Sequence, residues 1–253
     1  MCTVTFWPKK RGYLLGMNRD EQRTRPLGLP PVESEAEGLK VVHPSEPAGG
    51  TWISVNQLGT TIALINWYSI PGRAKGTAVS RGQVVLATRA AKSSEGVANR
   101  LASLPLAEMN PFRLIGMFED ERAAFEWRWD RETLSAQRQP WEPRQWISSG
   151  HDEPAAQRVR SAAFDMARLE SDAGSTAWLR RLHSSHLPEC GPFSTCMHRV
   201  DAATVSYTEV SSGEPGVSMH HTAAAPCQIR VCEASALFVE RAPISPGSAP
   251  RRT

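Results

Sequence analysis

The sequence predicts an α+β fold in which helices pack on antiparallel sheets. Segments with strand patterning stand at both ends of the chain, and stretches with helical periodicity lie between them. This order differs from the strand–helix alternation of a Rossmann-type sheet, and the 253 residues contain no Gly-rich phosphate-binding loop. We therefore expect hairpins to build the sheets and helices to cover them.

Residues 2–7 and 13–17 form the first predicted hairpin, because two segments with strand patterning flank a turn that contains Pro and Gly. Pairing across that turn sets Cys2 opposite Asn18, to within one or two residues. The segment 18–21, with the sequence Asn-Arg-Asp-Glu, is therefore expected beside the Cys2 side chain.

Eight further strands and three helices follow from the same patterns, and residues 22–50 are expected to form a long loop because they are rich in Pro, Gly and Glu. The strands are predicted at 51–55, 60–67, 114–118, 123–129, 133–137, 193–199, 204–210 and 217–221. The helices are predicted at 93–104 and in two parts of 154–187, which are separated near Gly174. In the first of these two parts, the stripe formed by Val159, Ala163, Met166 and Leu169 is expected to cover a sheet.

Composition and charge limit the number of domains and the classes of function that the chain could have. We expect a single domain over residues 1–242 and a disordered tail over 243–253, where Pro, Ser, Gly and Arg dominate. A net charge of +3 with dispersed basic residues argues against a nucleic-acid-binding groove. No apolar run is long enough to span a membrane, and the first residues lack the pattern of a secretion signal. The expected location is the cytoplasm.

In that location the five cysteines are predicted to be thiols. Four of them, together with three histidines, suggest a metal site: Cys190, Cys196, Cys227, Cys232, His198, His220 and His221. Their gaps along the chain fit paired zinc ligands poorly, so the expectation is core or surface thiols and no metal. His198 is a candidate axial ligand for haem or a general base, and a structural role is the simpler interpretation.

Cys2 is the main candidate for chemistry. Removal of Met1 would give Cys2 a free α-amine, whose pKa of about 7.7–8.0 allows it to accept the thiol proton. We expect the ammonium form of that amine and the Arg19 guanidinium to favour the thiolate, making Cys2 the most reactive of the five thiols. The alternative is that Cys2 packs as a small apolar residue.

Five ordered motifs resemble the NRDE family, which includes transport and Golgi organisation protein 2. They are Met1-Cys2, Asn18-Arg19-Asp20-Glu21 followed by Arg25-Pro26, Gly49-Gly50-Thr51-Trp52, Asn66, and Ser80-Arg81-Gly82. The similarity is strong over residues 1–85 and weaker through Ser194-Thr195 and 205–209.

This resemblance implies the N-terminal nucleophile fold, a four-layer α-β-β-α sandwich of antiparallel sheets similar to that of penicillin V acylases and choloylglycine hydrolases. It implies a catalytic set of Cys2, Arg19, Asp20 and Asn66, with Asn66 at the oxyanion. We also expect Asn18, Trp52 and Trp67 to contact substrate. Where those hydrolases have a second Asn, this chain has residues 148–150, Ser-Ser-Gly.

Two functions remain open from the sequence. The first is an N-terminal cysteine amidohydrolase or acyltransferase acting on a non-peptide amide, with no cofactor and a small-molecule substrate. The second is a non-enzymatic protein that binds and traffics haem or an acyl lipid in the same pocket.

Overall fold

The computed structural model describes residues 2–74, 76, 78–228 and 235–241. Met1, Cys232 and the predicted tail over 243–253 lie outside the described residues.

Two antiparallel sheets form the two central layers. The strands of the first sheet are β1 (Cys2–Pro8), β2 (Tyr13–Gln22), β10 (Arg144–Ser148), β11 (Ala202–Gly213), β12 (Gly216–Thr222) and β13 (Ser235–Glu240). They lie in the spatial order β10-β1-β2-β11-β12-β13. The strands of the second sheet are β3 (Leu29–Ala36), β4 (Leu39–Ser45), β5 (Ile53–Asn56), β6 (Thr61–Asn66), β7 (Phe112–Phe118), β8 (Ala123–Trp129) and β9 (Leu134–Pro140), which neighbour one another in chain order.

Among the described residues, four α-helices form the outer layers. They are α1 (Gly82–Thr88), α2 (Ser94–Ala102), α3 (Glu153–Ala167) and α4 (Thr176–Ser184). Apolar residues of α1 and α2 cluster with β6, β7 and β8, whereas those of α3 and α4 cluster with Leu14 of β2. None of the described helices is long and apolar enough to cross a membrane.

A third apolar cluster joins the two sheets. It combines the inward faces of β1 and β2, including Val4, Phe6 and Met17, with Ile53 and Ile65 of the opposite sheet. The order of layers is therefore helix, sheet, sheet, helix, and the predicted α-β-β-α sandwich is confirmed. Cys2 stands at the start of β1, at the edge of this inter-sheet core.

The loop predicted over residues 22–50 is wrong in its central part, where β3 and β4 form a hairpin. Residues Glu37 and Gly38 make the turn with positive φ values of 51° and 74°. Pro30 and Pro31 are tolerated because β3 is the edge of its sheet, where a missing N–H leaves no ladder bond unmade. Most of β3 is solvent-exposed, so its composition is that of a loop.

Two other expectations about elements are wrong. Residues 193–199 do not form a strand; they form a loop with a single bridge between His198 and Ala203. The α3 stripe is also misplaced, because Met166 and Leu169 are 69% and 83% exposed. The buried face of α3 instead carries Phe164 and the fully buried side chain of Arg160.

Candidate active site

The β1–β2 hairpin pairs Cys2 with Arg19, one residue beyond the predicted partner Asn18. The shift arises because Pro8 stays in the strand and pairs with Tyr13, which leaves a four-residue turn closed by a 3.0 Å bond from the Lys9 N–H to the Gly12 carbonyl. Directly paired residues share a face of the sheet, so the actual register puts Arg19 on the same face as the Cys2 side chain.

Cys2 is 7% exposed, and its backbone nitrogen donates to the Ser148 Oγ of the neighbouring strand β10 at 3.1 Å. Burial raises the pKa of the Cys2 thiol, and the Asp20 charge adds to this rise. The terminal ammonium, the Arg19 guanidinium and a hydrogen bond from the Asp20 backbone lower the pKa without cancelling the rise. Arg19 therefore acts in the expected direction, but burial outweighs it and the net pKa of the thiol is raised.

Arg19 is held in place by two carboxylates and one aromatic ring. Its Nη2 donates to Glu46 at 2.7 Å and to Glu21 at 3.3 Å, and its guanidinium carbon lies 4.6 Å from the centre of the Trp52 ring. Arg25 closes the network by donating to the same two carboxylates at 2.9 and 2.6 Å. Within the described part of the chain, the buried Nη1 of Arg19 has no hydrogen-bond partner.

The carboxylate of Asp20 faces the helix layer. Its Oδ2 accepts from Arg160 Nη1 at 3.2 Å, and its Oδ1 accepts from Thr204 Oγ1 at 2.6 Å. Both side chains of the Asp20–Arg160 ion pair are completely buried, and Arg160 also donates to Thr3 at 2.7 Å. Asp20 thus reaches the Cys2 thiol through its backbone and its charge, while its side chain fixes α3 to the sheet.

Cys2 lies in a cleft of about 280 Å³. Its walls come from each of the motifs that carried the family resemblance, and they include Arg19, Asp20, Glu21, Arg25, Thr51, Trp52, Asn66, Ser80, Arg81 and Gly82. Two glycines make this convergence possible: a Cβ on Gly82 would stand 3.0 Å from the Gly50 Cα, so α1 begins against the backbone of the Gly49–Gly50 segment. Motifs that are far apart in sequence therefore meet in one site.

The other predicted site residues divide between this cleft and other places. Trp52 and Asn66 line the cleft, and Asn66 Nδ2 donates to the Tyr68 hydroxyl at 2.7 Å. Trp67 lies in a separate depression beside Arg128. Asn18 is fully buried, and its Nδ2 donates to the carbonyl oxygens of His183 and Thr195 at 2.9 and 2.8 Å, so it anchors the end of α4 and the loop at Thr195, outside the cleft.

The cysteines and histidines outside the cleft are not dispersed as expected. The side chains of four residues from three chain segments lie together: His186, Cys196, His198 and Cys227. Cys190 is exposed, and His221 is buried beside Thr208 and Trp52. The sequence interpretation did not include His186, although His183 and Cys190 lie only three and four residues from it.

Three residues of the site were missed. Ser148 contacts the Cys2 nitrogen, Arg160 neutralises Asp20, and Glu46 orients Arg19. The resemblance pointed to Ser148 only because it stands where the related hydrolases have an Asn. Glu46 lies in the segment that was predicted to be a loop. Nothing in the sequence marked Arg160, which is one charged residue among the apolar residues of a predicted helix.

Comparison with known proteins supports the same fold and family. The family model described as Transport and Golgi organisation 2 matches residues 1–157, which include every residue that lines the Cys2 cleft. No curated protein matches the chain in sequence.

Two solved structures share its architecture at low identity. A mutant conjugated bile acid hydrolase from Clostridium perfringens is 12% identical with a TM-score of 0.56, over 94% of this chain and 92% of the hydrolase. Penicillin V acylase from Agrobacterium tumefaciens is 7% identical with a TM-score of 0.52, over 95% of this chain and 86% of the acylase. At these identities the similarity shows the N-terminal nucleophile fold that the motifs predicted.

Proposed function

The chain belongs to the Transport and Golgi organisation 2 family, and we propose that it is an N-terminal cysteine amidohydrolase or acyltransferase acting on a small, polar, non-peptide amide. The observation that carries the proposal is the environment of Cys2. Cys2 lines a cleft whose walls also supply the fixed guanidinium of Arg19 and the amide of Asn66, and its backbone nitrogen donates to Ser148.

In the first half-reaction, the Cys2 sulfur attacks the carbonyl carbon of the amide while the α-amine of Cys2, freed by removal of Met1, takes the thiol proton. Because burial raises the pKa of the thiol, we assign its deprotonation to this amine. The oxyanion that forms accepts a hydrogen bond from Asn66 Nδ2. Only one of the two protons on that nitrogen is needed for the bond to Tyr68.

The tetrahedral intermediate collapses when its C–N bond breaks and the Cys2 ammonium returns a proton to the leaving amine. This leaves an acyl group as a thioester on Cys2. Water, activated by the same amine, then attacks the thioester and releases the carboxylic acid and the thiol. An acceptor amine in place of water gives acyl transfer instead.

The neighbouring residues position this chemistry. Ser148 holds the Cys2 nitrogen at 3.1 Å, which aims the base beside the thiol. Arg19 is pinned through Nη2, so its unpartnered Nη1 is the donor that we assign to a substrate oxygen. Asp20 and Arg160 act from behind the strand, where their ion pair keeps β2 and α3 in register with β1.

The lining of the cleft favours this function over haem or acyl-lipid binding. Ligand sites for large apolar molecules are walled mainly by apolar and aromatic side chains. Here the side chains of three arginines and two glutamates line the cleft: Arg19, Arg25, Arg81, Glu21 and Glu46. The candidate haem ligand His198 is absent from the described lining. A polar amide with an anionic or carbonyl group satisfies these residues better than a hydrocarbon surface.

The direct test is to trap the acyl-enzyme. The protein is incubated with a panel of chromogenic anilides whose acyl groups vary in length and charge, quenched in acid, and measured by intact and peptide mass. We expect an acyl adduct on Cys2, loss of anilide turnover in Cys2→Ala, and the same loss when residues are added before Cys2. Cys190→Ala serves as the matched thiol control and should retain turnover, because Cys190 is exposed and outside the cleft.

Adducts confined to other cysteines would overturn the nucleophile assignment. The binding-protein alternative makes the opposite prediction, namely a Soret shift on titration with haem or saturable binding of a fatty acid, with no turnover of any anilide.

A further inference from the structure

Four potential metal ligands meet behind the first sheet, in the loops between α4 and β11 and in the short turn Pro226–Gln228. They are His186, Cys196, His198 and Cys227, and one ligand atom from each lies within 4.8 Å of the other three. We propose that these residues form a structural zinc site, distinct from the Cys2 cleft.

Two of the ligand separations fit tetrahedral zinc. With Zn–S bonds of about 2.3 Å and Zn–N bonds of about 2.0–2.1 Å, neighbouring sulfur and nitrogen ligands stand roughly 3.5 Å apart. His198 Nε2 is 3.5 Å from the Cys196 sulfur and 3.4 Å from the Cys227 sulfur. The fourth ligand, His186, has its ring centre 5.0 Å from that of His198 and nearly perpendicular to it.

The donor chemistry selects the ion. Two thiolates and two imidazoles in a tetrahedron are a common ligand set for Zn²⁺, whereas Ca²⁺ and Mg²⁺ require oxygen ligands. The Nε2 of His186 is buried and, among the described residues, has no hydrogen-bond partner. A bound cation would satisfy this nitrogen. Four protein ligands fill the coordination sphere, so the site is structural and leaves no open position for catalysis.

The loops that carry the ligands are fixed from outside the cluster, which preorganises the site. The Cys196 N–H donates to the Ser185 carbonyl at 3.0 Å, next to His186. The Ser194 hydroxyl donates to the Cys196 carbonyl at 2.7 Å. Cys227 lies 29 residues beyond His198, so the ion would fasten the segment that follows β12 to these loops.

This position connects the site to the cleft. Met197, between two of the ligands, exchanges 2.8 Å hydrogen bonds with Thr204, whose hydroxyl donates to Asp20 at 2.6 Å. An ion at this place would therefore hold the loop that contacts Asp20, two strand positions from Asn18 and next in sequence to Arg19 of the cleft.

The test is metal content and cobalt spectroscopy under reducing conditions. The protein is purified without chelators, and its zinc content is measured by inductively coupled plasma mass spectrometry. It is then stripped and titrated with Co²⁺. We expect about one zinc per chain and, with Co²⁺, the visible bands of a tetrahedral site together with a thiolate-to-cobalt charge-transfer band. Cys196→Ser and Cys227→Ser should each abolish the charge-transfer band or reduce it by about half, and the matched control Cys190→Ser should leave it unchanged.

The proposal is independent of catalysis, because its readouts need no turnover. It is overturned if reduced wild-type protein binds neither Zn²⁺ nor Co²⁺, a result that does not depend on how the variants fold. It is also overturned if the Cys196→Ser/Cys227→Ser double variant binds cobalt with an unchanged spectrum, or if the two thiols of freshly purified protein are joined as a disulfide that excludes metal.

Discussion

The backbone nitrogen of Cys2 lies 3.1 Å from the hydroxyl oxygen of Ser148, which joins the start of β1 to the end of β10. In the proposed mechanism this nitrogen is the general base, so the contact fixes the base relative to the thiol. Removing one hydrogen bond of this kind costs about 0.5–1.5 kcal/mol. In an activation free energy, this corresponds to a decrease of roughly 2–13-fold in the rate of the step.

We expect Ser148→Ala to lower kcat by about that factor, to leave KM nearly unchanged, and to shift the pH profile of kcat. The profile distinguishes positioning of a base from a general loss of structure. Ser149→Ala is the matched control, because Ser149 is equally buried but accepts from His151 instead. A Ser148→Ala profile that superimposes on the wild-type profile would argue that Ser148 has no role in holding the base.

The Asp20–Arg160 pair predicts a large loss of stability when only one partner is removed. Both side chains are fully buried, so Arg160→Met leaves a desolvated carboxylate without its ion-pair partner. We expect a loss of about 3–5 kcal/mol in the free energy of unfolding by urea. Arg168→Met, on the same helix, breaks an exposed pair with Asp165 and should cost less than about 1 kcal/mol. Equal losses in the two variants would contradict this account.

The sequence anticipated the neighbourhood of Cys2 because hairpin pairing is nearly determined by turn position. It missed the register by one residue because a turn that includes Pro8 and a turn that begins after Pro8 look alike in sequence. That single residue decides whether Arg19 or Asn18 shares a face with the thiol.

Other parts of the structure could not be predicted because their residue composition is unusual for the element that they form. The β3–β4 hairpin resembles a loop because an exposed edge strand needs little apolar patterning. The α3 face was misassigned because its most buried long side chain is Arg160, whereas the apolar Met166 and Leu169 face solvent. Metal-ligand spacing rules consider neighbours along the chain, and the His/Cys cluster assembles from three separate segments.

The contact between Gly50 and Gly82 predicts a difference between two adjacent glycines. Both Gly49 and Gly50 have positive φ values, 84° and 88°, so alanine at either place pays about 1–2 kcal/mol in backbone strain. A Cβ at Gly49 meets nothing within 4 Å, whereas one at Gly50 stands 3.2 Å from the Gly82 Cα. We expect Gly50→Ala to be less stable than Gly49→Ala by a further 1–3 kcal/mol, roughly the cost of overpacking, as measured by urea unfolding. Identical stabilities would show that α1 moves freely away from the cleft wall.

His183 predicts an acid-sensitive step in stability. It is completely buried against Gly16 and Thr5, and burial lowers its pKa from 6.5 to about 3, so it is neutral in the folded protein. Unfolded chains bind a proton to this histidine below about pH 6.5, so stability falls as the pH falls from 6.5 toward 3. The limiting slope from this one group is about 1.4 kcal/mol per pH unit. His183→Gln should flatten the measured curve of unfolding free energy against pH over this window. A variant curve parallel to that of the wild type would contradict the assignment.

The last prediction concerns the order in which the thiols react. Cys2 is 7% exposed and burial raises its thiol pKa, whereas Cys190 is exposed. Alkylation requires both access and thiolate, so we expect iodoacetamide at neutral pH to label Cys190 before Cys2. The labelling rate of Cys2 should rise steadily through alkaline pH as its thiol ionises, which peptide-resolved mass spectrometry can follow.

Arg19→Gln should slow this alkaline labelling further, because the guanidinium lowers the pKa of the thiol and its removal leaves less thiolate at each pH. Arg25→Gln is the matched control: Arg25 shares the same two carboxylates but is not among the main contributors to the Cys2 pKa, so the rate should change less than in Arg19→Gln. Labelling of Cys2 ahead of Cys190 at pH 7 would show that the thiolate is already formed in the resting protein. In that event the α-amine would not be needed as the base for attack, and its role would be limited to protonating the leaving amine. Slow labelling of Cys2 by iodoacetamide, combined with rapid acylation by an amide that fits the cleft, is the pattern that a neutral, substrate-activated nucleophile requires.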